Sequence, residues 1–383
     1  MVTTKRIFPR VLHALFVILL LGSASSALAQ TITSGTAGPT ITTFTPSGPI
    51  TLVSGQTVTG LSISNPNGPC IYGNGVSNVH IYNNKIGPCA SNVNGVGIDI
   101  ENGTHDITVD HNSFDDVASG LYAVSSTNNI VFDHNFATRI RGPYPRGQMV
   151  QFNGVSGSGN RISCNVNDET IPGYLTSLED HVNMYNSFGT AASPILVQYN
   201  KVRGGGPSTS GGGLLSGDSG SSYVTIDTNI AVDPGQYGIA IAGGHNNKLL
   251  NNKVYSSSHP WSNIGMDVWL WNPAEPACYG HEVSGNRVNW TNSSGAANNW
   301  WDGGNCGPIT MSNNVFGDPT ITADIWNTTF PQCGGSTPAS DTTPPSVSIT
   351  APANNATVSG TGVTVSANTS DNVGVVGRSR AHV

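Results

Sequence analysis

Short alternations of apolar and polar residues recur along the chain, each leading to an asparagine and then another apolar position. The pattern reads VHIYNNKI (79–86), ITVDHNSF (107–114), IVFDHNFA (130–137) and ILVQYNKV (195–202). It returns as VTIDTNIA (224–231), KLLNNKV (248–254), HEVSGNRV (281–288) and ITMSNNVF (309–316). The shared asparagines are Asn84, Asn112, Asn135, Asn200, Asn229, Asn252, Asn286 and Asn314, and RISCNVND supplies Asn165 as the counterpart in a degenerate repeat. Alternation with period two makes each unit a strand, not a helix. A spacing of a few tens of residues marks stacked units that share one core. A strand, a bend with a buried asparagine and another strand per period is how a parallel β-helix closes a coil. Stacked asparagines can satisfy buried backbone groups by bonding to one another and to bend carbonyls. The expected fold is all-β: a right-handed, single-stranded parallel β-helix of about eight or nine coils.

A second strand lies between successive asparagine bends: GVGIDIEN, GLYAVSS, QMVQFNG, HVNMYNS, GGLLSGD, YGIAIAGG and GMDVWLWN. Alternation puts Ile98 and Ile100, Leu121 and Ala123, Val150 and Phe152, and Val182 and Met184 inside. The outward column then reads Asp99, Tyr122, Gln151, Asn183, Ser216, Ala240 and Trp269. Such a row of polar and aromatic side chains suits a sugar chain lying along the helix.

The ends have a different character. Lys5, Arg6 and Arg10 precede an apolar run from Val11 to about Gly22, and Ala27-Leu28-Ala29 offers a small-x-small cleavage site. Residues 1–29 are therefore expected to be a signal peptide cleaved near Ala29, with 30–333 the β-helix domain. Residues 334–345 form a Pro/Ser/Thr linker. Residues 346–383 resemble the opening strands of a bacterial immunoglobulin-like module, too short for the seven strands of a sandwich. That tail is expected to be incomplete and to take no part in catalysis.

Composition narrows the function. Without the leader, 12 of the 15 basic residues remain against 22 acidic ones, which argues against nucleic acid as a partner. No apolar stretch reaches the ~18 residues of a membrane span. A secreted, periplasmic or cell-surface monomer acting on a polysaccharide is expected. All six cysteines fall after the leader, and an even count in an exported chain permits disulfides; Cys70–Cys89 and Cys278–Cys306, each about one coil apart, are the expected pairs.

Candidate chemistry gathers in long loops at one corner. From the bend asparagine to the next inward residue the distance is nine or ten positions in short coils and 15 to 17 in long ones, as from Asn165 to Val182. Loops of that length on a rigid scaffold are where function concentrates. They hold Arg139, Arg141, Tyr144 and Arg146, then Asp168, Glu169, Tyr174, Glu179, Asp180 and His181, then Arg203 and Asp218. His134-Asn135, Arg141-Gly-Pro143-Tyr-Pro-Arg146, Gly147 and MVQFN ending at Asn153 resemble the pectate lyase superfamily. That superfamily has a His-Asn bend, an R-x-P-x-x-R motif and a strand ending in Asn. The resemblance implies that Arg141 abstracts the proton α to a uronate carboxyl group and that Arg146 binds substrate. It also brings in calcium (Ca2+) as the one cofactor to consider, but the aspartates that hold calcium in that superfamily have no clear counterparts here. Asp99, Glu101, Asp115 and Asp116 are merely acids in the preceding coils, and the sequence itself requires no cofactor.

Three mechanisms compete. A lyase, or an epimerase built from the same parts, would use Arg141 or His181 as base, Arg146 and Arg203 as carboxylate clamp, and Tyr144 or Tyr174 as acid. A glycoside hydrolase would use a carboxyl pair drawn from Glu179, Asp180 and Asp218. A non-catalytic binding protein would rest on stacking platforms such as Tyr122, Trp261, Trp269 and Trp271. Elimination is the first expectation, hydrolysis the second and binding alone the third.

Overall fold

The computed structural model describes residues 37–275, 278–333, 346–352, 356–357 and 366–370. The leader and the linker assigned above lie outside them, as does most of the C-terminal tail. Three parallel sheets of ten, ten and eleven strands run side by side, and successive strands of the chain enter the three sheets in rotation. Each round of three strands is one coil. The first sheet runs from Thr45–Ser47 to Val315–Phe316, the second from Ile50–Thr51 to Trp300–Asp302 and the third from Thr57–Thr59 to Thr310–Ser312. The helix therefore has ten coils where the asparagine count suggested eight or nine. The earliest corner turns through Gly60-Leu61 instead of an asparagine, with Gly60 at φ +72°, so it carries no sequence mark.

All nine asparagines form one continuous ladder at the corner between the third and first sheets. Asn84 Nδ2 donates to Asn112 Oδ1 at 3.0 Å, Asn112 to Asn135 at 3.1 Å, and so on to Asn286 and Asn314 at 3.0 Å. Each Oδ1 also accepts the backbone N–H of the preceding asparagine, as Asn200 Oδ1 does from Asn165 at 3.0 Å. The residue before each asparagine is left-handed, with φ between +52° and +57° at Asn83, His111, His134, Cys164, Tyr199 and Thr228. Asparagine, histidine and glycine tolerate this conformation better than branched apolar residues do, which fits the Asn, His or Gly that precedes six of the nine ladder asparagines.

The inward alternation is as read: Ile98, Leu121, Val150 and Val182 pair in register and are fully buried, as are Ile100, Ala123, Phe152 and Met184. Each such side chain contributes about 1.5–3 kcal/mol by leaving water. Beyond Asn183 the outward column differs from the expected one. Asn183 pairs with Leu215, so Leu215 continues the column and Ser216 turns inward, fully buried. A bulge follows between Asn183 and Tyr185; its one extra residue reverses the alternation and sets Asp218 opposite Tyr185 on the outer face. The column then runs through Ala240, Asp267 and Trp301, while Trp269 stands one pleat further along its strand.

Both expected disulfides are present, and the remaining cysteines, Cys164 and Cys333, make a third. The last closes a return segment: after the final coil the chain doubles back along the outside of the first sheet. There Ile321 and Ile325 pack on Ile230 and Val232, and Phe330 meets Tyr199. In the tail, Ser346–Ala351 pairs antiparallel with Ser366–Ser370.

Candidate active site

The outer face of the second sheet forms the floor of a cleft of about 650 Å3. The long loops 141–147, 204–213 and 257–263 stand along one side, at the corner where the first sheet hands over to the second; they contribute Tyr144, Pro145, Arg146, Thr209, Ser210 and Asn263 to its lining. Trp269, Trp271 and Trp301 line its far end. The unequal loop lengths thus marked the right corner.

At the centre, Asp180 is buried and holds three donors. Tyr237 Oη donates to its Oδ1 at 2.5 Å, Gly212 N to Oδ1 at 3.0 Å, and Asn183 Nδ2 to Oδ2 at 2.9 Å. The same Asn183 nitrogen lies 3.2 Å from Asp218 Oδ2, so one amide ties the two carboxyl groups together. Gly212 has to be glycine here. A Cβ would sit 2.4 Å from the Tyr237 carbonyl oxygen and 2.7 Å from its ring, and the amide could not reach Asp180. Burial is the dominant influence on Asp180, outweighing its donors and reinforced by the Glu179 charge, and it pushes the carboxyl up to about 7. Asp218 is half-buried and is also raised, by burial, against the Asn183 hydrogen bond. Asp267, two strands further on, is pushed up to about 7 by burial alone, and its Oδ1 has no partner. The Tyr237 hydroxyl is held well above its ordinary value by burial and the Asp180 carboxyl, so it stays a donor.

Glu179 accepts hydrogen bonds from the hydroxyls of Ser208 and Ser210 on the neighbouring loop, so its position braces that wall. Arg146 lies flat over the Tyr122 ring, 3.7 Å from its centroid, and reaches Gln151 Oε1 at 3.4 Å. It lines the cleft with Tyr122, Tyr144, Gln151, Asn183 and Trp269, as the sequence suggested.

Five candidate residues are placed elsewhere; Tyr174 and Trp261 are absent from the lining, Trp261 being stacked on His259. Arg141 points away from the cleft: its Nε donates to Asp116 Oδ1 at 2.7 Å and its Nη2 to the carbonyls of Cys89 and Ala90. Arg203 pairs with Asp168 at 2.6 Å and covers the Trp326 ring. His181 is fully buried beneath the corner loop, with Nδ1 2.5 Å from Asn167 Oδ1. Burial pushes its imidazole down to about 3, so it is neutral and out of reach of a bound polymer. These side chains hold the long loops to the coils. The acids of the preceding coils are held in the same way: Asp115 pairs with Arg139, Asp116 with Arg141, and Glu101 accepts from the Tyr72 hydroxyl. Asp99 stands apart, its Oδ1 buried without a partner, and among the described residues these acids form no grouping with metal-like proximity. Among the described residues, the two Cys/His groupings with metal-like proximity have their cysteines in disulfides.

Sequence reasoning missed Tyr237 and Asp267. Tyr237 opens its strand and reads as an ordinary β residue; Asp267 was displaced from view when the column was aligned on Trp269.

The C-terminal residues 345–378 match the family of bacterial Ig domains. That match lies wholly outside the β-helix. No curated protein and no solved structure matches the chain. Among the described residues, no helix is long and apolar enough to cross a membrane.

Proposed function

We propose that the protein is an exported glycoside hydrolase that cleaves a polysaccharide lying along the second sheet, with Asp180 as general acid and Asp218 as general base or nucleophile. The observation that carries this reading is the Asp180–Asn183–Asp218 arrangement, two carboxyl groups on one amide nitrogen in an open cleft. Sharing that nitrogen keeps them within the separation at which glycosidase carboxyl pairs act, roughly 5–9.5 Å. Their environments differ as the chemistry needs. Asp180, the more deeply buried, keeps a proton to near neutrality and can protonate the departing glycosidic oxygen. Asp218, reached by solvent, ionises to activate water or attack the sugar. Asn183 and Tyr237 fix the acid, and Gly212 brings a backbone N–H to the same oxygen.

Elimination is supported less well. Its expected bases, Arg141 and His181, are both engaged away from the cleft. Kinship with the pectate lyase superfamily remains part of the proposal, resting on the β-helix and the motif around Arg141 and Arg146. The three disulfides support an oxidising compartment and so export.

The test is incubation with a panel of acidic and neutral polysaccharides, following reducing ends and ultraviolet absorbance together. New reducing ends without absorbance are expected. Absorbance from an unsaturated uronate would replace hydrolysis with elimination, and silence in both channels would leave a binding role.

A further inference from the structure

The far end of the cleft has a chemistry of its own. Trp300 and Trp301 close the second sheet and point opposite ways. Trp300 packs against the core and stacks on Phe316, with ring centres 5.1 Å apart, and so caps the coil end. Trp301 faces the cleft and stays 47 % exposed. Trp269 lies 5.5 Å from Trp301 and 5.1 Å from Trp271, which is 59 % exposed. Capping the core therefore explains one tryptophan of this group and leaves three forming a continuous aromatic wall. Backbone bonds from Trp269 N to Ile241 O and from Trp271 N to Ala242 O anchor two of the rings. The Cys278–Cys306 disulfide ties together the two segments that follow Trp271 and Trp301.

Asp267 stands beside this wall, between Ala240 and Trp301 in register, and is only 5 % exposed. Its Oδ1 is buried without a partner. An orphaned buried carboxyl oxygen is expensive unless a ligand completes it. An exposed apolar surface inside a concave site likewise points to something that covers it.

We propose that Trp269, Trp271, Trp301 and Asp267 form a binding subsite for an uncharged pyranose unit of the polysaccharide; this rests on reading the cleft as a polysaccharide site. The C–H face of a pyranose stacks on the indole rings while a ring hydroxyl pairs with Asp267. A carboxyl group held protonated by burial can both donate to and accept from that hydroxyl. The neighbouring acids Asp218 and Glu275 would repel a charged sugar. The cleft's arginine, Arg146, adjoins the strand Gln148–Asn153, four strand spacings or roughly 19 Å from Asp267. Asp218 lies two spacings away, on the order of 10 Å, so the subsite holds a sugar beyond the one at the cleaved bond.

The experiment uses the full exported chain carrying Asp218→Asn, which slows turnover, titrated with neutral gluco-, manno- and xylo-hexaoses and with hexagalacturonate. Tryptophan fluorescence and calorimetry are read together. A neutral hexaose is expected to bind with a change in emission. Trp271→Ala and Trp301→Ala should each weaken it about tenfold, Trp271→Phe should recover most of the loss, and Asp267→Asn should weaken it with the fold intact. Emission changes confined to hexagalacturonate, binding indifferent to all three positions, or no binding of any neutral hexaose would overturn the subsite. Hydrolysis by the wild-type chain is scored separately. If no polymer is cleaved yet tryptophan-dependent binding persists, the catalytic reading fails and the subsite stands. Cleavage with KM unchanged by the tryptophan variants has the opposite meaning.

Discussion

The asparagine corner and the cleft lie on different sides of the same coils and treat buried polar atoms in opposite ways. Along the ladder each interior asparagine accepts from the preceding asparagine and donates to the next and to a backbone carbonyl, as Asn165 Nδ2 does to Phe132 O at 2.9 Å. On the cleft side, Arg146 Nε and Asp267 Oδ1 are buried without partners. Coils stacked on a satisfied ladder are rigid, and rigidity lets the opposite face keep groups that are not satisfied. The ladder's polar atoms are paired within the chain. Of the buried atoms left without a partner, those of Arg146 and Asp267 border the cleft, where a ligand can supply one, whereas Ser163 Oγ, His181 Nε2 and Trp290 Nε1 lie within the fold.

The largest effect expected from breaking this contrast is on the cleft side. Asp218→Asn and Asp180→Asn should each lower kcat on the identified polymer by about 10²–10⁴-fold, with little change in thermal stability. Wild-type activity should fall on the alkaline side near pH 7, as Asp180 loses its proton, and on the acid side above the ordinary aspartate range, as Asp218 gains one. A flat pH profile of kcat/KM between 5 and 9 would count against these roles.

The ladder should respond in stability instead. Asn200→Ala removes an acceptor used by Asn165 N and Nδ2 and a donor to Ile162 O and Asn229 Oδ1. With several buried groups orphaned at once, a loss of about 3–5 kcal/mol is expected in denaturant unfolding. Asn314→Ala, at the open end of the ladder and only half-buried, should lose about 1 kcal/mol. Equal losses at the two sites would mean that the ladder does not act as a connected network.

Asp267 sharpens the contrast through pH. Its carboxyl titrates near 7 in the folded chain and, like any exposed aspartate, near 3.9 once unfolded. Between those values the folded state holds a proton that the unfolded state releases, so stability falls as pH rises from 4 to 7 and stays lower above. Asp267→Asn removes that penalty. It should match the wild type at pH 4 and exceed it at pH 8 by on the order of 4 kcal/mol. Thermal or denaturant unfolding at the two pH values checks this, and a gain present equally at both would point to another cause.

The coils were legible in the sequence because a repeat writes the same instruction many times. The ladder asparagines and the inward Ile98/Ile100 type of pair follow from one-dimensional spacing; the left-handed residue before each asparagine came only with the structure. The corner bearing the cleft was legible from loop length, and Asp180, Asp218, Asn183, Gln151 and Arg146 came with it. What escaped was the register between strands. Long loops leave strand starts unmarked, so Ser216 was placed outside although Asn183 pairs with Leu215, and Asp267 was passed over for Trp269 although it is the residue that pairs with Ala240. Partnering was equally hidden. In sequence, Arg141, Arg203 and His181 are reactive side chains in a functional loop, and nothing local says that Asp116, Asp168 and Asn167 already hold them.

Arg141 gives the smallest expected effect and the sharpest separation of the two regions. Motif resemblance makes it the catalytic base, whereas its geometry makes it a tie between a long loop and the coils below, through Asp116 and the carbonyls of Cys89 and Ala90. The Asp116 side chain is 43 % exposed, so the ion pair itself contributes little, and the carbonyl bonds carry most of the tie. Arg141→Lys keeps the charge but cannot reach three acceptors with one planar fork. It should cost about 1 kcal/mol of stability and change kcat less than threefold, a small shift passed on through the neighbouring loop that bears Tyr144 and Arg146. A thousandfold loss of kcat with stability unchanged would restore Arg141 to the chemistry and move the reaction from hydrolysis to elimination.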